Sequence, residues 1–211
     1  MAPPTPEPAD LGLDPEGMKV DALAREILRD HYVHFHVARI ALDEDVDKGE
    51  VALEVTLVQA GSGAQVVVEG KGVGLVDAFF EGVMRVFGDE YPSLKTVTVS
   101  DFGLRPGFDG ARGRKSDALA VVSLRMKNSE GAEFRFERAT PSVTRSAVRV
   151  ALDALTFFIN SERAYVQLHL ALKDATERRR SDLVSKYQQQ MGTLVHATSY
   201  SDVIERLKRE K

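Results

Sequence analysis

Apolar positions along the chain change period several times, and each change marks an element. Val20, Leu23, Ala24, Ile27 and Leu28 recur at i, i+3, i+4, i+7 behind Pro15, which predicts a short amphipathic helix. Three alternating, β-branched runs follow: "YVHFHVARIAL", "EVALEVTLVQ" and "AQVVVEG". They are separated by the acidic connection "DEDVDKG" and the turn "AGSG", so they read as consecutive hairpin strands. The period then returns to helical over about Leu75 to Phe87, with Val76, Phe79, Phe80, Val83, Met84 and Phe87 on one side.

The same order begins again. "KTVTVSDFGLR" reads as a strand, "PGFDGARGRKS" as a loop, and "DALAVVSLRM" and "AEFRFER" as two strands joined at "NSEG". Pro141 and Ser142 then open a long helical pattern, "TPSVTRSAVRVALDALTFFIN". A β-β-β-α order that occurs twice predicts an α+β fold: two pseudo-symmetric units with antiparallel sheet and helices on one face, plus a C-terminal helical tail. The expected boundaries are a disordered leader at 1–14 and an α+β domain at 15–160, with units at about 31–90 and 94–160. The tail, 161–211, has helical spacing at Tyr165, Leu168 and Leu172, again at Leu183, Val184, Tyr187, Met191 and Leu194, and a last short helix near Ser199 or Ser201.

Composition narrows the function classes. The net charge of −4 argues against a general affinity for nucleic acid or an anionic membrane. With no cysteine, disulfides, thiolate metal sites and cysteine nucleophiles are excluded. No apolar run reaches the ~20 residues that span a bilayer. The start "MAPPTPEPADLG" has neither a basic nor an apolar signal region, so a cytoplasmic location is expected.

The candidate chemistry sits where strand gives way to helix. In "EGKGVGLVDAFF" three glycines, Gly70, Gly72 and Gly74, precede the helix, yet Asp77 stands where a dinucleotide fingerprint needs its third spaced glycine, and no Walker lysine is present. Glycines there allow φ > 0 and leave the first helical N–H groups open to an anion, a carboxylate as well as a phosphate. A tight turn with close helix-on-sheet packing explains the same residues. The second helix start carries Ser142 and Thr144 as candidate caps and no acid in its first turn. Two such beginnings facing one recess would suit a small carboxylate, its ammonium met by carbonyls or Asp77. His34 and His36 fall on one face of a strand, two candidate metal ligands without an evident third. Asp101 and Asp109 are candidate paired carboxylates, although loops hold aspartate for conformational reasons too. No serine nucleophile motif occurs.

These stretches resemble a known family. "EGKGVGLVDAFFEGV" is similar to the glycine-rich helix start of the C-terminal regulatory domain of α-isopropylmalate synthases and citramalate synthases. "VTVSDFGLR" with "SDALAVVSLRM" resembles that domain's strand pair, and "SVTRSAVRVALDALTFFIN" its closing helix, here ending at Asn160. The resemblance covers roughly residues 32 to 160. It implies a dimerising domain that binds a feedback amino acid, leucine or isoleucine, between its two units and acts on a catalytic barrel, which here would be a separate synthase chain. It implies ligand-binding roles for Gly70, Gly72, Val73, Gly74, Leu75, Asp77, Thr144 and Ser146. Val73 and Leu75 replace the family's usual asparagine and proline, and Arg145 and Ser146 stand near its usual Asp/Asn.

The reading is therefore a non-catalytic, homodimeric amino-acid or carboxylate sensor without cofactor or metal. The alternatives are a dimerisation scaffold that binds no ligand, its tail carrying partner contacts, and an enzyme built on the recess or on His34 and His36.

Overall fold

The computed structural model describes residues 12–107, 119–195 and 197. The first eleven residues of the expected leader, most of the 106–116 loop with Asp109, and the last short helix lie outside the described residues. The fold is α+β: among the described residues there are two three-stranded antiparallel sheets and four α-helices.

The first helix, α1 (Pro15–Leu28), begins as its sequence dictates: the Asp14 carboxylate accepts from the Gly17 N–H at 2.8 Å, and Pro15 takes the first turn, where no backbone donor is required. Unit one is β1 (Phe35–Asp45), β2 (Glu50–Gln59), β3 (Gln65–Gly72) and α2 (Leu75–Phe87). Unit two is β4 (Thr98–Gly107), β5 (Leu119–Lys127), β6 (Glu133–Thr140) and α3 (Val143–Glu177). A fourth helix, α4 (Ser181–Val195), folds back on α3. Both first strands carry a register shift at matching places, between Val37 and Arg39 in β1 and between Val99 and Asp101 in β4. The doubling thus reaches down to a bulge.

Each helix covers one face of its own sheet, α2 on β3 and β2, α3 on β5 and β6. The register explains the pattern: Val51, Leu53, Val55 and Leu57 of β2 point to the helix side and are buried, as are Val122, Leu124 and Met126 of β5. Under α3, Phe134, Phe136, Phe157 and Phe158 stack with centroids 5.0 to 6.3 Å apart. A fully buried phenylalanine cluster of this kind is the largest apolar contribution available to a small domain.

Two elements differ from their expected extents. The helix of the second unit does not end at Asn160: α3 runs unbroken through Asn160, Ser161 and Glu162 to Glu177 and packs against both units. Buried Asn160 accepts from the Val33 N–H at 2.8 Å and donates to the Val33 and Thr156 carbonyls at 2.7 and 2.9 Å. Buried Glu162 accepts from the Ser93 N–H at 3.1 Å and from the Ser93 hydroxyl, tying down the 3-10 turn Pro92–Thr96 between the units. Polar residues that look like a helix end in the sequence are internal clasps. The leader also ends earlier than residue 14, because Gly12 and Asp14 pair with the edge of β6: Glu137 donates to the Gly12 carbonyl at 3.0 Å, and Asp14 to the Arg135 carbonyl at 3.2 Å. No helix among the described residues is long and apolar enough to cross a membrane.

Candidate functional site

The glycine turn is a packing seam. A Cβ on Gly70 would stand 1.9 Å from the Ala78 carbonyl oxygen, and one on Gly82 2.7 Å from that of Glu69, so α2 rests on β3 with no side chain between them. A Cβ on Gly72 would meet the Asp77 carboxylate at 2.4 Å. None of Gly70, Gly72 and Gly74 has positive φ; the left-handed glycines among the described residues are Gly12, Gly49, Gly61, Gly63 and Gly131. The expectation of φ > 0 at this turn is therefore corrected: the absence of a side chain matters there, and the backbone is ordinary. Gly74 is the N-cap of α2 and supplies no capping side chain; instead Asp77 reaches back to accept from the Val73 N–H at 3.1 Å. Val73 is 85% exposed, and Leu75 is half-buried.

The start of α3 is latched from within. Ser142 is the cap, accepting from the Arg145 N–H at 3.2 Å. The Ser146 hydroxyl, fully buried, donates to the Ala120 carbonyl and accepts from the Thr140 N–H, both at 2.9 Å, so its hydrogen-bonding capacity serves the sheet. Thr144 is half-buried in the first turn.

A groove of about 530 Å³ does lie between the units, bounded by different residues from those expected. One wall is the α2 stripe Val76, Phe80 and Met84, and the other is Val99 and Phe102 of β4. Leu155 and Phe158 of α3 also line it, as do two exposed side chains of opposite charge, Asp77 and Lys95. Lys95 Nζ contacts the exposed Asp89 carboxylate at 2.8 Å. Of the residues singled out in the sequence, Asp77 alone lines this groove. The start of α3 does not: Val143 lies twelve residues before Leu155, about 18 Å along the helix axis. The two helix beginnings do not share this groove.

The groove residues of β4 and mid-α3 were missed because each belongs to an alternating or helical pattern that a core explains equally well. The available signal was the width of the α2 stripe: Val76, Phe80 and Met84 extend it beyond the face that Phe79 and Val83 bury completely. A larger groove, about 560 Å³, runs between the end of α1 and α3, with mixed walls that include Glu90, Glu162 and Arg163. Among the described residues no group of three or more histidines, aspartates or glutamates is placed to hold a metal ion.

His34 precedes β1 and is half-buried, while His36 is exposed. Burial, and then the positive charges of Arg25, His36, Arg138 and Arg149, hold the His34 imidazole below its ordinary pKa. Tyr32, beside it in sequence, donates to the Asp21 carboxylate; burial and that carboxylate push its phenol well above the usual range. No protein-family model matches this chain, and no curated protein matches it.

Proposed function

We propose that the protein is a non-catalytic binding module that takes a small apolar amino acid, or a related carboxylate, in the groove between its two units. One observation carries the reading: an apolar groove of ligand size with a carboxylate and an ammonium among its lining residues. Val76, Phe80, Phe102 and Phe158 would bury an aliphatic or aromatic side chain, while Lys95 and Asp77 complement the two ends of a zwitterion. Lys95 would exchange the exposed Asp89 for the ligand carboxylate, and such an exposed pair contributes little. The resemblance to feedback-regulatory domains supports the same class of ligand.

A ligand-free scaffold is the second reading, favoured by a specific fact: the glycine turn and Ser146, the features that first suggested a ligand, are both occupied by internal contacts. Calorimetric titration with leucine, isoleucine, valine, phenylalanine and their des-amino acids separates the two. Saturable binding is expected for at least one, weakened tenfold or more by Val76→Lys. Asp77→Asn keeps an acceptor for Val73 and should weaken amino acids while sparing the des-amino acids. Silence across the panel at millimolar ligand establishes the scaffold instead.

A further inference from the structure

Among the described residues β4 is paired on one side only, by β5, so its other edge offers unpaired backbone donors and acceptors. Its exposed apolar residues lie on the helix side of the sheet: Val99 is 42%, Phe102 45% and Leu104 55% exposed, opposite the buried Met126, Leu124 and Val122. Proteins ordinarily blunt such an edge with bulges, prolines or charges. Here the bulge after Val99 and Pro106 stand at either end, and the five residues between them, "DFGLR", carry neither.

Those five residues are self-complementary. Laid antiparallel on a copy of itself about Gly103, the strand places Asp101 opposite Arg105, and Phe102 opposite Leu104, each twice. Asp101, Gly103 and Arg105 share the solvent face, and the glycine at the centre leaves no side chain to clash. Charges within one sheet prepare the same pattern. Arg125, the cross-strand neighbour of Asp101, reaches Glu133 at 3.7 Å, and Arg105 reaches Glu137 at 2.8 Å. Arg125 directly opposes Arg135 on β6, so its contact with Glu133 is diagonal, as is that of Arg105 with Glu137; in the pairing, Asp101 of one copy and Arg105 of the other would join these two diagonal ion pairs.

We infer that β4 is a homodimer edge: two copies of the chain join their second sheets antiparallel about Gly103 into one six-stranded sheet. Pairing of this edge with the equivalent edge of unit one is disfavoured by the sequence. With the bulges aligned, "RIALD" (Arg39 to Asp43) matches "DFGLR" with the charges reversed, so β1 laid on β4 in that register opposes Arg39 to Arg105 and Asp43 to Asp101. Like charges directly opposite destabilise a strand pair. β1 laid on β1 about Ala41 opposes Arg39 to Asp43 in the same manner, and differs from β4 in the further acids Glu44 and Asp45 beside that register; substitutions at Asp101 and Arg105 report on the β4 edge alone. The inference holds whether or not the groove takes a ligand.

Charge exchange tests it, read by sedimentation velocity on the full chain. The wild type is expected to dimerise, and Asp101→Arg and Arg105→Asp each to weaken the dimer tenfold or more, since each turns two attractive contacts into repulsive ones. An equimolar mixture of the two variants should recover a heterodimer, and the double variant a homodimer. Leu104→Lys, at an exposed position, should give a folded monomer by circular dichroism and covers the case in which a charge variant fails to fold. A wild type that stays monomeric at 100 µM overturns the inference, as does a dimer indifferent to these substitutions or a loss that neither mixture nor double variant restores.

Discussion

The two units share an order of elements and a bulge, but they seat their helices in opposite ways. With the helix starts Leu75 and Val143 aligned, Gly70 matches Arg138, Gly72 matches Thr140 and Ala78 matches Ser146. Unit one removes side chains so that α2 lies against the β3 backbone. Unit two fills the same places with polar groups that bond across the gap: Thr140 with Ser146, and Arg138 with Asp153 on α3. Close contact by subtraction suits a short amphipathic helix that lies mainly on its own sheet. A 35-residue helix that also packs against α1, α2, α4 and the linker needs its rotation set, and directional bonds do that better than apolar contact. The lesson is that duplicated architecture does not imply duplicated chemistry: a ligand-like feature in one copy has to be checked against what stands in the other.

The comparison can be broken most severely at the seam. Gly70→Ala drives a methyl into the Ala78 carbonyl, and overpacking of this kind costs about 2–3 kcal/mol; chemical denaturation should show it, with α2 losing amide-exchange protection first. Arg138→Ala tests the bonded counterpart. It removes the guanidinium from an Asp153 side chain that is 10% exposed, and about 2 kcal/mol is expected, less than for a fully buried pair because Arg138 retains 21% exposure. A double-mutant cycle with Asp153→Ala should recover part of that loss; additive losses would show that the pair does not hold α3. Ser146→Ala leaves the Ala120 carbonyl and Thr140 N–H short of a partner, for about 1–2 kcal/mol.

The smallest effect is a pH dependence at the junction of the units, where His34 of the first faces Arg138 and Arg149 of the second and Arg25 of α1. Its folded pKa lies below the ordinary 6.5, so between the two values the unfolded chain holds more protons and stability rises with pH. The contribution is complete above about pH 6.5 and is lost as pH falls toward the folded value. His34→Gln should flatten the melting temperature across that window. An unchanged slope would assign the pH dependence to other groups.

Much of the fold was legible because it rests on periodicity. β2 matches its alternating run from Glu50 to Gln59, and α2 covers Leu75 to Phe87 as its stripe predicts. The errors cluster where a residue type carries two meanings. Asn160, Ser161 and Glu162 look like a solvated helix end, and are buried because Val33 and Ser93 come from distant parts of the chain to meet Asn160 and Glu162. Glycines before a helix suggest positive φ, whereas here they admit a carbonyl. For the candidate site, Asp77 was legible as the acid of a helix start; Lys95, Phe102 and Phe158 were not, since only packing brings a linker, an edge strand and a mid-helix turn to one groove.

By itself the sequence determined the local elements, the doubling, the capping of α3 by Ser142, and the self-complementary charges along β4, because each depends on residues a few positions apart. The tertiary structure decided which polar residues are clasps, where the units meet and which faces stay open. Those depend on contacts between segments tens of residues apart, and the chain's local pattern holds no record of them.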